Sequence, residues 1–118
     1  MIKYILNIPY TLMGIIISVL SFPKKIVFLK RPLSLIFYVK NMWWRFGYLK
    51  GARAMALGNI IILGPKIEEF DLDHEIVHVN QYLRYPLIFP ILYYIELFKK
   101  GYKNNKYEKE AFEKQTNI

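Results

Sequence analysis

The 118-residue sequence contains no cysteine and only two histidines. Without cysteine there is no disulfide framework and no thiolate-held metal, so any metal bound by this chain must have nitrogen and oxygen ligands. The six glycines do not form a glycine-rich phosphate-binding loop. The length allows one domain of ordinary size, with one core.

Acidic residues are also scarce, because nine of them stand against seventeen lysines and arginines, for a formal net charge of +8. Hydrophobic residues make up 54% of the chain, which is above the usual share for a soluble domain. A basic chain this rich in apolar side chains suits an anionic membrane surface, whereas no basic helix or known nucleic-acid motif is present. We therefore predict a lipid bilayer as a partner and no binding of nucleic acid.

Residues 4–22 contain no charged side chain. Nineteen helical residues rise roughly 28 Å, which nearly matches the hydrocarbon core of a bilayer. The segment is followed by lysines and not by a small-residue cleavage site, which argues against a signal peptide. We predict a transmembrane segment at residues 1–23, followed by a small domain at residues 24–118. The alternative for this segment is a buried partner in the core of a soluble domain.

Basic residues crowd into the thirty residues after this segment. They are Lys24, Lys25, Lys30, Arg31, Lys40, Arg45, Lys50 and Arg53. Only Lys3 and the amino terminus carry positive charge before it. By the positive-inside rule, we predict a membrane localisation with the bulk of the chain on the cytoplasmic side.

Short runs of β-branched and aromatic residues between glycine and proline breaks predict strands at residues 26–30, 34–40 and 54–63. MWWRFGYL, at residues 42–49, is compatible with a strand pair or a loop. Residues 82–98 carry two prolines and two charges, which argue against a second membrane span. We expect a helix there that lies at the membrane interface or packs against the first segment, with a core helix as the alternative.

Both histidines lie in FDLDHEIVHVNQYL, residues 70–83, with Glu75 directly after His74 and His78 four residues after it. In a helix the two imidazoles lie one turn apart on one face, so they can converge on one ion at roughly 2.0–2.1 Å. Glu75 is rotated by about 100° from His74 and can reach a metal-bound water. This is the HExxH division of labour, with two nitrogen ligands and one general base. The alternative is an amphipathic helix with two unligated histidines.

A hydrolytic zinc site needs a third protein ligand and one open position. The downstream carboxylates are Glu96, Glu108, Glu110 and Glu113. Spacing alone leaves the choice among them open.

The motif and the tail together resemble the gluzincin metallopeptidases, whose third ligand is the first glutamate of an ExxA or ExxS pattern on a second helix. The chain is especially similar to small bacterial HExxH proteins over roughly residues 50–113. The matching pieces are LGNIIILGP (57–65), HEIVHVNQ (74–81), FPILYY (89–94) and GYKNNKYEKEA (101–111). The resemblance implies that His74, His78 and Glu108 bind Zn²⁺ and that Glu75 is the catalytic base. It also implies that the strand predicted at residues 54–63 holds the substrate in an extended form.

The sequence departs from the gluzincin pattern at Phe112, where many gluzincins place an aspartate that orients a zinc-bound histidine. Such support is usually important for a metal site. Here it would have to come from Gln81, Asp71, Asp73 or Glu110. Gln81 is the first candidate, because it lies on the same helical face as His74 and His78. With no third histidine, a donor to the oxyanion would be Tyr93, Tyr94, Tyr102 or Tyr107, or the metal alone.

The predicted fold is therefore α+β. It is a minimal zincin-like domain with an N-terminal membrane helix, a small antiparallel sheet, the HExxH helix and a C-terminal helix that carries the third ligand. The predicted function is a membrane-anchored, zinc-dependent hydrolase, most directly a metallopeptidase acting on a peptide or protein. The alternative is a non-catalytic membrane-associated protein with a structural or vestigial zinc site.

Overall fold

The computed structural model describes residues 2–30, 32–44 and 52–116. This part of the chain is α+β, as predicted, with five helices and a four-stranded sheet. In chain order the elements are α1 (Ile2–Leu6), α2 (Ile8–Leu20), β1 (Pro23–Leu29), β2 (Ser34–Val39), β3 (Ala54–Leu57), β4 (Ile60–Leu63), α3 (Asp71–Arg84), α4 (Phe89–Asn104) and α5 (Lys106–Thr116).

The sheet is mixed, with the strand order β1-β2-β4-β3. β1 and β2 pair antiparallel, as do β3 and β4, but β2 and β4 run parallel. The prediction of an antiparallel sheet is therefore wrong at this central pairing. All four residues of β4 are buried, and a strand that is apolar on both faces belongs in the interior of a sheet. β4 therefore pairs with β2, and β3 remains at the edge.

The predicted strand at residues 54–63 is in fact a hairpin, formed by β3 and β4. Gly58 and Asn59 separate the two strands, and Gly58 has a φ of 61°, a conformation in which glycine meets no Cβ penalty. Gly58 also lies against α2, because a Cβ there would come within 2.5 Å of Thr11 Oγ1. Gly58, which the sequence predicts to lie inside one strand, instead forms the turn together with Asn59.

The two faces of the sheet form separate apolar clusters, because successive side chains of a strand point to opposite faces. One cluster contains Phe37, Val39, Met42, Trp44, Ile60 and Ile62, with Ile15 and Ile17 of α2 against it. The other contains Ile36, Ala56, Ile61, Leu63 and Val79, with Ile76 and Leu83 of α3 against it. The sheet thus lies between α2 and α3.

The uncharged run at residues 4–22 is broken at Asn7, which separates α1 from α2. The side chain of Asn7 is buried, donates to the Tyr82 carbonyl at 3.0 Å and accepts from the Leu87 amide at 2.9 Å. α2 has thirteen residues and therefore rises about 20 Å, short of a hydrocarbon core of about 30 Å. Within residues 2–30, 32–44 and 52–116, no helix is both long and apolar enough to span a bilayer.

The predicted transmembrane segment is therefore wrong, and so is the predicted membrane localisation with the bulk of the chain on the cytoplasmic side. The prediction rests on the apolar side chains of residues 4–22, and nothing in the sequence indicates the buried hydrogen bonds that Asn7 makes with Tyr82 and Leu87. Gly14 further fits α2 closely to the sheet, because a Cβ there would lie 2.8 Å from Ile60 Cβ. Of the basic residues that set the predicted orientation, Arg31, Arg45 and Lys50 lie outside the described residues.

Residues 82–98 are divided between two helices. α3 ends at Arg84, and α4 begins at Phe89 after a turn in which Leu87 has a φ of 71°. That turn is bonded to the N-terminal segment through Asn7 and through the Tyr10 hydroxyl, which donates to the Leu87 carbonyl. The predicted packing against the first segment is thus present at the turn.

Only part of MWWRFGYL can be compared with its prediction, because residues 45–49 lie outside the described residues. Met42 and Trp44 are buried. The Trp44 indole donates to Ser21 Oγ at 2.9 Å and so joins this segment to the end of α2.

Candidate metal centre

α3 presents its two histidines on one face and its apolar residues on another. Val79 packs on the sheet, while His74 and His78 are turned toward α5, and their ring centroids lie 4.9 Å apart. Both rings are buried, at 7% exposure. The four-residue spacing therefore has the predicted consequence, with two imidazoles one helical turn apart on the same side.

α5 brings Glu108 to the two histidines because the helix begins at a buried cap. Asn105 Oδ1 accepts from the Tyr107 amide at 2.9 Å, and Asn105 Nδ2 donates to the Tyr93 carbonyl at 3.2 Å. These bonds satisfy an otherwise unpaired amide at the helix start and attach α5 to α4. Glu108 lies in the first turn of α5, where the position of the cap also fixes the position of its carboxylate.

One oxygen of Glu108 lies close to both rings. The Oε1 atom is 3.0 Å from His74 Nε2 and 3.1 Å from His78 Nε2, and the ligand atoms of the three residues all lie within 4.8 Å of one another. Around a tetrahedral ion with bonds of about 2.0–2.1 Å, ligand atoms stand roughly 3.3–3.4 Å apart. The two distances to Glu108 fall a few tenths of an ångström short of that spacing, so the three side chains could hold a metal ion after a small adjustment of their positions.

The other three candidate carboxylates lie elsewhere. Glu96 accepts from the Lys106 amide at 3.3 Å and pairs with Lys100, and Glu110 pairs with Arg84 and Lys114. Glu113 is exposed. The choice that spacing left open is settled by geometry in favour of Glu108 as the carboxylate beside the histidines.

The second nitrogen of His78 is held by Gln81, a fully buried residue. His78 Nδ1 lies 2.8 Å from Gln81 Oε1, and Gln81 Nε2 donates to the Tyr107 carbonyl at 3.0 Å and to Glu110 Oε1 at 2.7 Å. A carbonyl and a carboxylate can only accept, so the amide nitrogen must face them and the amide oxygen must face His78. His78 Nδ1 therefore carries hydrogen, which leaves Nε2 as the atom available to a metal.

Gln81 and Glu110 form a chain of hydrogen bonds that begins at His78 Nδ1. Glu110 accepts from Arg84 at 2.7 Å, and the hydrogen bond from Arg84 lowers the pKa of Glu110 to about 2. Asp71, a third candidate, instead pairs with Arg53 through two hydrogen bonds of 2.8 and 2.9 Å. The amide oxygen of Gln81 therefore accepts from His78 Nδ1, a hydrogen bond that a carboxylate makes to a histidine ligand in many metal sites.

The charges in the metal-free site are strongly coupled. Burial would raise the pKa of Glu108, but its hydrogen bonds with His74 and His78 outweigh burial and lower that pKa. Burial would lower the pKa of His78, but the hydrogen bond with Glu108 raises it to about 9. A cation that binds between these groups competes with a proton for His78 Nε2, so metal affinity should fall as pH falls.

Glu75 is buried next to the two histidines and lines the same cavity as they do. Burial raises the pKa of its carboxyl group, and the two histidines oppose that shift. The sequence predicts that Glu75 lies beside His74 and His78, and in the structure all three residues line the cavity.

Several contacts of the site have no strong signal in the sequence. The Tyr93 hydroxyl donates to Glu108 Oε2, and Phe112, at the position of the missing aspartate, packs its ring 4.6 Å from that of His74. Tyr94 and Tyr102 line the cavity, whereas Tyr107 packs against Tyr85 and Phe89. Of the four candidate donors, Tyr107 is therefore the one outside the cavity lining.

The arrangement defines a class of site, namely a buried cluster of two histidines and one glutamate that could bind a divalent metal and opens onto a cavity. Comparison of the chain with protein-family models, with curated proteins and with solved structures finds no match. The identity of the metal and the chemistry at the site therefore have to be argued from the residues themselves.

Proposed function

We propose that this chain is a zinc-dependent hydrolase with a minimal zincin-like domain, related to the gluzincin metallopeptidases, and that it cleaves peptide bonds. The observation that carries this proposal is the convergence of His74, His78 and Glu108 on one point at the wall of a cavity that Glu75 also lines. A structural zinc site is closed by four protein ligands, whereas three ligands beside a cavity leave one position for water and substrate.

Zinc is the metal that this ligand set favours. Two imidazoles and one carboxylate form a common ligand set of catalytic zinc, whereas magnesium and calcium prefer sites made of oxygen alone. When bound, zinc would supply Lewis acidity toward water and toward the substrate carbonyl.

The residues of the chain have distinct roles in the proposed reaction. Glu75 takes a proton from the attacking water and returns it to the leaving amine, so that the C–N bond breaks as the proton arrives. Burial raises the pKa of Glu75, which makes the carboxylate a stronger base than an exposed glutamate. Gln81 fixes the ring of His78 through Nδ1.

Tyr102 is our candidate for the donor that stabilises the oxyanion. It lines the cavity beside the ligands, and burial together with the charges of Glu108 and Glu75 raises the pKa of its hydroxyl. A phenol that stays protonated can donate a hydrogen bond throughout the reaction. Tyr93 also lines the cavity and donates to Glu108, which makes it the second candidate.

One observation favours a second candidate function, a zinc site without catalysis. The expected aspartate is replaced by Phe112, which contacts His74 only through its ring. A ring contact restrains the imidazole but does not raise its basicity as a hydrogen-bonded carboxylate does.

Two measurements test the proposal. Zinc content of the purified protein should be one ion per chain, and His74→Ala, His78→Ala and Glu108→Gln should each abolish tight binding. Glu113→Gln, which changes an exposed glutamate on the same helix, should leave the stoichiometry unchanged. Zinc that binds equally to the Glu108→Gln protein would disprove the proposed site.

Activity then separates an enzyme from a structural site. The zinc-loaded protein should cleave a quenched fluorescent peptide library, and Glu75→Gln should retain its zinc but lose cleavage. Glu69→Gln, at an exposed glutamate just before the same helix, is the matched control and should remain active. Full zinc occupancy with no cleavage by the wild-type protein would favour the non-catalytic alternative.

A further inference from the structure

The cavity at the candidate metal centre has a volume of about 520 Å³ and lies along β3, from Ala54 to Leu57. Among the described residues, β3 is an edge strand of the sheet, with β4 as its partner on one side and no strand on the other. The cavity reaches both layers of the fold, because α3 contributes the histidines and Glu75 on one side and α2 contributes Tyr10 and Met13 on the other.

The lining of this cavity is uncharged beyond the metal-site residues. Among the described residues, Glu75, Glu108 and the two histidines are its ionisable groups other than tyrosines, and the remaining positions are alanine, methionine, leucine, phenylalanine, proline and tyrosine. An ionised side chain that entered would lose its hydration without gaining a partner, whereas an apolar side chain would gain by leaving water.

A second cavity, of about 240 Å³, shares Glu75, His74 and Tyr102 with the first and has a different character. Its lining includes the ion pair of Arg53 and Asp71. The site therefore has an apolar side and a polar side, and the two meet at Glu75.

α2 forms one wall of the apolar cavity and is anchored there by hydrogen bonds to α3 and to the turn at Leu87. Tyr10 donates to the Leu87 carbonyl and packs against Tyr82 with ring centroids 5.5 Å apart. Asn7, immediately before α2, is bonded to the Tyr82 carbonyl. Met13 lies one turn after Tyr10, is half-exposed, and has an unbranched side chain that can adapt to what lies against it.

We infer that the site takes peptides with a bulky uncharged side chain on one side of the scissile bond, and that Met13 of α2 is a specificity-determining residue for that side chain. This inference rests on the proposed function, since it concerns the substrate of the same site. The metal ligands come from α3 and α5, so specificity and metal binding lie on different elements and can be changed separately.

The test uses zinc-loaded protein of measured stoichiometry and a pair of amino-acid hydroxamates, which chelate zinc and carry either a benzyl or a carboxyethyl side chain. Binding is measured by calorimetry. We expect the benzyl compound to bind at least about tenfold more tightly, as burial of one aromatic side chain allows. Met13→Glu should reduce that preference several-fold, and the matched control Leu12→Glu, an exposed position outside the cavity lining, should not.

The outcomes separate this inference from the proposed function. Failure to bind zinc would overturn both. Zinc binding with equal affinity for the two hydroxamates would overturn the inference alone, and equal effects of Met13→Glu and Leu12→Glu would remove the role of α2. Circular dichroism of each variant, and Met13→Ala as a milder change, guard against loss of folding as the cause.

Discussion

Replacement of Gln81 by leucine tests whether the buried amide orients a metal ligand or only fills space. Leucine keeps much of the volume of glutamine but can neither accept from His78 Nδ1 nor donate to the Tyr107 carbonyl. The wild-type distances of 2.8 and 3.0 Å show both bonds to be well formed. Because Gln81 is fully buried, water cannot replace either bond.

Two separate effects should follow. Loss of an outer partner of a metal-bound histidine typically lowers metal affinity by about 10–100-fold, or about 1.4–2.7 kcal/mol. The buried Nδ1–H of His78 loses its acceptor, whereas the Tyr107 carbonyl lies within helix α5, so the metal-free protein should lose about 1–3 kcal/mol of its free energy of unfolding. The first effect belongs to the metal site and the second to the fold.

The assay is competitive zinc titration against a fluorescent chelator, on protein that circular dichroism shows to be folded, together with urea unfolding of the metal-free form. Asn80→Leu is the control, since Asn80 is an exposed amide on the same helix. If Gln81→Leu lowers stability but binds zinc as tightly as Asn80→Leu, the amide is structural and the assigned orientation of His78 is wrong.

Three further changes test the fold around the site. Asn7→Ala should lower the free energy of unfolding by about 1–3 kcal/mol, because it leaves the buried Tyr82 carbonyl without its donor, while the Leu87 amide is partly exposed to water; an unchanged urea midpoint would contradict the anchoring of α2. Gly14→Ala should cost about 1–3 kcal/mol, since its Cβ would lie 2.8 Å from Ile60 Cβ; a stabilised variant would refute the close packing. The hydrogen bond from Arg53 lowers the pKa of Asp71 below 3.8. The ion pair of these two residues therefore stabilises the fold above pH 3.8, and this stabilisation is lost as the pH falls through the lowered pKa of Asp71. The stability gap between wild type and Asp71→Asn should therefore be roughly 1 kcal/mol at pH 7, since Arg53 is partly exposed, and should narrow below pH 3.8; a constant gap would exclude this ion pair as its source.

The local elements of the site could be predicted from the sequence because they depend on short-range patterns. The four-residue spacing of His74 and His78 fixes their common face once α3 forms. The polar stretch near the end of the sequence predicts a second helix, and Glu108 lies in its first turn. The identity of the third carboxylate could not be derived from spacing, because it depends on how α5 packs against α3. The resemblance supplied the residue, and geometry supports it.

The longer-range features could not be predicted in the same way. Asn7 reads as one polar residue in an apolar run until its partners at Tyr82 and Leu87 are known. The parallel pairing of β2 and β4 depends on which strand of the hairpin enters the sheet, and both strands are apolar in sequence. The cavity wall from α2 depends on contacts between residues more than forty positions apart.

The contacts of Asn7 and Tyr10 also bear on the order in which the chain can assemble during synthesis. Their partners lie 75 to 80 residues further along, so α1 and α2 cannot close onto the turn at Leu87 until that length of chain has been made. At translation rates of about 5–20 residues per second this delay is several seconds. During that interval the apolar residues of α1 and α2 are exposed to chaperones and to other unfinished chains.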